Sequence, residues 1–315
     1  MHPGIKAPSP MRPARLSLRL RALRHWDILL MLLPVAAYYI IFCYIPMSGI
    51  LLAFKDFKLL KGIWGSPWAG LKHFQTLFAT ASFYEVLYNT VSISLLRLLF
   101  GFPAPILLAI MLNELRHPKT KRVIQTVSYL PHFLSWVVLA GVFIQFLSPS
   151  NGPVNILLTK LGLQPIYFLG SKNTFVPTII ATGIWQSAGW GSIVYLAAMA
   201  GIDPQIYESA MLDGASRLQR IWHVTLPGIL PTATVLLILN TGSILNGGFD
   251  QIYNLYNDGV MSVADIIDTY VYRRGLEGMQ YSYAAAVGLF KNGIGFLFVF
   301  ITNKIAQRLS ESSLW

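Results

Sequence analysis

Charge is what this sequence has least of. Lys, Arg, Asp and Glu make up 12% of its 315 residues and 54% of the chain is hydrophobic, whereas a soluble domain carries about a quarter charged residues. So apolar a chain reads as an integral membrane protein. A single cysteine, Cys43, sits in an apolar run, which excludes an intramolecular disulfide and a cysteine-built zinc site. The sequence has no Gly-rich phosphate loop of the P-loop kind, no H-E-x-x-H and no G-x-S-x-G. The chain is therefore not expected to hydrolyse ATP or to be a metallo- or serine hydrolase. His73, His132 and His223 lack metal-like companions, and no metal or cofactor is expected on this chain. The net charge is +11, but the basic residues form no stripe with interleaved aromatics, so nucleic acid is not an expected partner.

What the chain does have is long apolar runs. Residues 26–54 contain WDILLMLLPVAAYYIIFCYIPMSGILLAF, about 44 Å as helix, which exceeds a signal-peptide core and suffices to span a bilayer. Pro34 or Pro46 is expected to kink it. Further spans are expected at 84–113, 123–147, 175–201, 227–255 and 281–305, giving an all-α membrane protein with six transmembrane helices surrounded by lipid. Before them, residues 1–25 combine Pro3, Pro8, Pro10 and Pro13 with Arg15, Arg19, Arg21 and Arg24 and read as a flexible basic arm. Fourteen Lys and Arg residues fall on the side of the N-terminus and eight on the other, so the positive-inside rule puts both termini in the cytosol. The same count puts residues 203–231 in the cytosol.

That stretch, DPQIYESAMLDGASRLQRIWHVTLPGILP, reads as two short helices meeting at a turn. Asp203 is a good N-cap and Pro204 suits the first helical position. Ile206, Tyr207, Ala210 and Met211 share one face, with Gln205, Glu208 and Ser209 on the other. Asp213-Gly214 stops the helix, Gly214 supplying the left-handed residue. Ser216 and Gln219 have capping-box spacing and start a second helix carrying Leu218, Ile221, Trp222 and Thr225, which Leu226-Pro227 is expected to end. An ordinary helical hairpin between two spans would show parts of this pattern.

Glu208-Ser209-Ala210, Asp213-Gly214-Ala215 and Val224-Thr225-Leu226-Pro227 together resemble the EAA loop of binding-protein-dependent ABC importer permeases. The family's pattern is E-A-A, three residues, G, nine residues, I-x-L-P. Ser209 stands for Ala and Val224 for Ile. In that family the loop is a coupling helix that docks on a cytosolic ATPase. The resemblance thus implies an ATPase-coupling role for Glu208, Ala210, Asp213, Gly214, Ala215, Leu226 and Pro227. Residues 44–74 and 264–292 resemble the carbohydrate branch that serves complex oligosaccharides. A type I importer fold is implied, in the membrane of a prokaryotic cell. Its implied partners are a second six-span permease chain, two ATPases that bind ATP and Mg, and an extracytoplasmic solute-binding protein.

Polar groups within spans usually face protein or water. Asn240, Ser243, Gly247, Asp250 and Asn254 recur at helical offsets of three and four, with Asn246, Gln251 and Tyr253 nearby, while Gly242, Gly247 and Gly248 would let the fifth span bend or unwind. Trp185, Gln186 and Trp190 in the fourth span and Lys291 and Asn292 in the sixth complete a candidate pathway. Aromatic faces with amides suit a sugar. The same groups would equally serve as helix-to-helix hydrogen bonds. Lys291 is expected to pair with an acid such as Asp250, to snorkel, or to meet an acidic substrate; Arg97 is expected to serve packing or pairing. On the outer side, 55–83 with Trp64, Trp68 and His73, a segment at 154–158 and a helix at 262–274 with Ile266, Ile267, Tyr270 and Val271 are expected to face either a donor protein or the bilayer surface.

Two other classes compete. A secondary transporter needs ion-binding groups near mid-membrane, and Asp250 is the one well-placed acid. A membrane enzyme finds no paired intramembrane carboxylates.

Overall fold

The computed structural model describes residues 26–242 and 244–309. The basic arm at 1–25 and Ser243 lie outside the described residues. By internal contacts the chain divides at Leu51 and Leu52 into two units. In the first, helix α1 (Trp26–Tyr39) passes through Pro34 without interruption and widens into a π-type turn, Ile40–Tyr44. The chain then tightens to 3₁₀ geometry from Pro46. Pro46 thus marks a change of helical type rather than an isolated kink.

The second unit is helical among the described residues, apart from an isolated antiparallel bridge between Lys55 and Trp68. Its principal helices are α2 (Ala81–Leu96), α3 (Pro103–Asn113), α4 (Pro118–Tyr129), α5 (Trp136–Phe146), α6 (Lys172–Ala200), α7 (Pro204–Leu212), α8 (Arg217–Arg220), α9 (Leu226–Gly242), α10 (Phe249–Leu255), α11 (Ile267–Tyr272) and α12 (Tyr281–Leu309). A π-type turn, Arg97–Gly101, joins α2 to α3 as one helical run.

Four helical runs among the described residues are long and apolar enough to cross a membrane: Leu30–Phe54, Ala81–Asn113, Arg217–Gly242 and Tyr281–Gln307. A fifth exists if Pro118–Phe133 and Trp136–Phe146, bent by 106°, count together. The span expected at 123–147 is therefore interrupted by a sharp bend. Pro131 has no N–H to extend the helix, Leu134 is extended, and Ser135 caps α5 through Val138 N–H. Helix α6, where the fourth span was expected, has 29 residues, but Thr178, Thr182, Gln186, Ser187 and Ser192 dilute its apolar character. Its place is central instead. Phe175, Ile179 and Ile180 pack with Ile93, Ala140, Ile252 and Ile266, while Tyr195 and Met199 pack with Ala109, Ile110 and Ile229.

The expected helix at 262–274 is also corrected. It breaks at Asp265 and Ile266 because α2 captures the backbone groups there. Asn89 Nδ2 donates to the Ser262 and Asp265 carbonyls at 3.0 and 3.2 Å, and the Ile267 N–H donates to Thr90 Oγ1 at 2.8 Å. Ile266, Ile267 and Tyr270 are buried. They face the core, Ile267 and Tyr270 meeting Leu77, Phe83 and Val287, rather than a donor protein or a bilayer.

Candidate functional site

Two features stand out, a surface hairpin and an internal cavity. In the hairpin, Asp203 Oδ1 accepts the Gln205 N–H at 2.9 Å and Pro204 occupies the first turn of α7. Helix α7 ends when Ala215 N–H bonds the Ala210 carbonyl at 2.9 Å and Gly214 N–H bonds that of Met211 at 3.1 Å, the paired bonds of a Schellman motif. Gly214 takes φ +81°, a left-handed backbone that residues with a Cβ disfavour. Ser216 N–H donates to Gln219 Oε1 at 2.7 Å while Gln219 N–H donates to Ser216 Oγ at 3.4 Å, so the capping box forms as its spacing implies.

Leu226-Pro227 does not end the second helix, contrary to expectation. A π-type turn, Ile221–Thr225, carries α8 into α9, with Leu226 N–H bonded to the Ile221 carbonyl. The wider turn accommodates the N–H that Pro227 lacks without breaking the run. Consequently one continuous rod has Leu218 and Trp222 exposed at one end, then Ile221, Leu226 and Ile229 packed in the core shared with α3 and α6. The hydroxyls of Tyr207 and Thr225 meet at 3.0 Å and tie the two arms together.

The outer face of the hairpin is apolar where water would favour polar groups. Ile206, Met211, Leu218 and Trp222 are exposed, and Leu212 is 89% exposed. Glu208 and Asp213 are exposed beside them, Ala210 and Ala215 are half-buried, and Pro227 is exposed. Ala210, Asp213, Gly214, Ala215, Gln219 and His223 line a depression of about 260 Å³. An apolar patch rimmed by charge is suited to receive a partner protein.

The cavity, about 430 Å³, lies among α2, α6, α9 and the segment after it. Arg97, Gln186, Tyr195, Asn240, Asn246 and Gln251 are among its lining residues. Gln186, Asn240, Asn246 and the neighbouring Gln251 belong to the expected pathway stretch. Helix α9 ends at Gly242, and Gly248, at φ +84°, precedes the separate α10, so the expected span 227–255 comprises two helices with the chain unwound at 246–248. The glycine-rich composition anticipated this unwinding. A Cβ on Gly248 would stand 2.2 Å from Arg97 Nη1; the bare backbone makes room for the guanidinium.

The remaining expected pathway residues are placed elsewhere. Trp185 packs edge-on against Phe143, and Trp190 stacks on His132 with ring centroids 4.9 Å apart. Tyr253 packs among Phe249, Tyr256 and Tyr272. Asn254 Nδ2 donates to the Asp250 carbonyl at 2.7 Å, and the Asp250 side chain is exposed. Asn292 is exposed on α12. Lys291 pairs with Asp268, not with Asp250; the broken outer segment brings Asp268 to α12. Arg97 and Gln251 are the cavity residues that sequence reasoning undervalued. A charge inside an apolar span is the available signal for Arg97, whereas Gln251 matters only once α10 is seen to fold back against α6.

Comparison with known proteins places these features in a family. Residues 101–311 match the family described as binding-protein-dependent transport system inner membrane component. The chain is 45% identical to protein LplB of Bacillus subtilis (strain 168) over 286 residues, covering 91% of this chain and 90% of that one. It is 42% identical to the polygalacturonan/rhamnogalacturonan transport system permease protein YteP of the same organism over 313 residues, 99% of this chain and 98% of that one. Among solved structures, it is similar to a chain of a bacterial alginate ABC transporter in complex with an alginate pentasaccharide-bound periplasmic protein. That likeness has a TM-score of 0.87 and 43% identity, over 94% of this chain and 99% of that one. This chain belongs to the binding-protein-dependent transport system inner membrane components and is a multi-pass permease subunit of an ABC importer.

Proposed function

We propose that this permease imports oligosaccharides, fragments of acidic plant- or alginate-like polysaccharides foremost, and that the 203–231 hairpin couples their passage to ATP hydrolysis in a partner. Near full-length likeness to a polygalacturonan permease and to an alginate importer supports the cargo class. The observation that carries the coupling role is the exposed apolar face of α7 and α8 on a rod continuous with the core helix α9. An ATPase that shifts this face moves α9, and α9 lines the cavity through Leu236 and Asn240.

In this reading the chain crosses the membrane six times, with α6 and the bent α4–α5 pair each counted as a span, and both termini in the cytosol. The charge asymmetry of the loops supports that orientation. A second permease chain, two ATPases holding ATP and Mg, and an extracytoplasmic binding protein complete the assembly; the alginate transporter was solved with a periplasmic protein. Glu208, Asp213 and Gly214 stand in the ATPase contact. Gln186, Asn240 and Asn246 stand in the pathway.

Co-expression with the partner ATPase tests the coupling role. Leu212→Asp and Trp222→Asp, both at exposed positions, leave the permease inserted in the membrane and abolish co-purification of the ATPase. Retention of the ATPase by both variants would remove the hairpin from the interface.

A further inference from the structure

The cations and acids of the membrane-embedded part do not balance in the way the sequence implied. Lys291, the candidate partner of an acidic substrate, is neutralised by Asp268 and is absent from the cavity lining. Arg97 lines that cavity, and none of the ion pairs among the described residues includes it. Its Nη2 donates to Gln251 Oε1, and its buried Nε has no hydrogen-bond partner among the described residues.

The Gln251 amide is oriented by neighbours that only accept or readily accept. Its Nε2 donates to the Ile179 carbonyl at 2.7 Å and to Thr182 Oγ1 at 2.9 Å, which obliges Oε1 to turn toward Arg97. The α6 backbone, the Gln251 amide and the bare backbone of Gly248 thus hold a guanidinium at the cavity wall, and among the described residues one side-chain hydrogen bond, to Gln251, engages a donor among its five N–H groups. A planar fork of donors fits a carboxylate with two parallel hydrogen bonds. A cation inside a span without a counter-ion is costly, and a passing anion would relieve that cost.

We propose that Arg97 is the site at which the permease binds the carboxylate of a uronate residue during passage, with Gln251 as the positioning residue that holds the guanidinium in place. This rests on the oligosaccharide-import reading and deepens it: the cavity selects acidic over neutral sugars. The cavity prefers the singly ionised carboxylate of a uronate to an ester of the same ring, because the ester offers no charge and one fewer strong acceptor.

The test uses the full transporter in proteoliposomes with its ATPases and binding protein, and measures uptake of trigalacturonate and of its fully methyl-esterified form. Arg97→Met lowers trigalacturonate uptake about ten- to a hundredfold, the loss expected for charge-assisted hydrogen bonds, and brings the acid and ester rates together. Arg97→Lys retains part of the preference, and Gln251→Leu lowers uptake of the acid more than of the ester. Co-purification of all subunits with Arg97→Lys and Gln251→Leu guards against misfolding. Preference for the acid undiminished in Arg97→Met, or equal losses for acid and ester in Gln251→Leu, overturns the proposal while leaving oligosaccharide import standing. Failure of the unaltered transporter to import either sugar overturns both.

Discussion

Lys291 on α12 donates to Asp268 on α11, with side chains 12% and 25% exposed. The bond joins the sixth expected span to a segment whose helix is broken by Asn89 and Thr90 of α2. The ion pair thus ties α12 to α11, and the bonds from Asn89 and Thr90 tie the same segment to α2.

Removing one partner leaves a partly buried charge without its mate. Asp268→Asn or Lys291→Met alone should destabilise by about 3 kcal/mol, near the lower end for a broken buried pair because both groups retain some solvent. The double variant should recover most of the loss. Thermal unfolding of the purified complex in detergent measures this. Equal losses in the double and single variants would mean that the pair acts through something other than mutual neutralisation.

At Gly214 the strain of a substitution comes from the backbone alone, since a Cβ there meets nothing within 4 Å and φ is +81°. Gly214→Val should insert and assemble normally yet lose about fivefold or more in sugar transported per ATP hydrolysed, the left-handed penalty being about 1–2 kcal/mol and larger for a β-branched residue. Gly214→Asn, which tolerates the left-handed region better, should lose less. Unchanged stoichiometry in Gly214→Val would detach the turn geometry from coupling.

A pH effect is expected outside the spans. Lys72 Nζ donates to both Asp56 carboxylate oxygens, at 3.1 Å to Oδ1 and 2.9 Å to Oδ2, and His73 Nε2 lies 3.1 Å from Oδ1. The hydrogen bond from Lys72 is the largest influence on the Asp56 carboxyl; burial opposes it, and the positive charge of Lys72 and then of His73 adds to it, so the carboxyl is held below its ordinary value. A depressed folded pKa stabilises above the ordinary carboxylate value, and the contribution disappears as pH falls through the lower folded value. The site is solvent-exposed, so the effect should be small and weaken with salt. Hydrogen exchange around the Lys55–Trp68 bridge, corrected for intrinsic rates, should show protection lost as pH falls below the ordinary carboxylate value. Asp56→Asn should remove that dependence; an unchanged profile in the variant would place the titrating group elsewhere.

The hairpin was the most legible part of the chain because its caps are local. Asp203, Gly214, Ser216 and Gln219 act on backbone groups two to five residues away, and spacing alone reveals them. The continuity of α8 into α9 was not legible, since the π-type turn that precedes Leu226-Pro227 leaves no residue pattern and proline ordinarily reads as a stop. Spans rich in leucine and isoleucine announced themselves, whereas α6 carries Thr, Ser and Gly where it is enclosed by other helices. The cavity depended on contacts between residues far apart in the chain, such as Arg97 with Gln251 and Gln251 with Ile179. Periodicity places residues on a face but does not say which other helix that face meets, which is why the sequence points to an acid as a partner of Lys291 without singling out Asp268.

The orientation and role of the hairpin are tested together by a cysteine placed at Leu212 in a Cys43→Ser background. The account predicts that a membrane-impermeant maleimide labels Leu212→Cys in inside-out vesicles and not in right-side-out vesicles, and that bound ATPase shields it and can be cross-linked to it. Labelling from the outer face, or labelling from the inner face that the ATPase leaves undiminished, would contradict it.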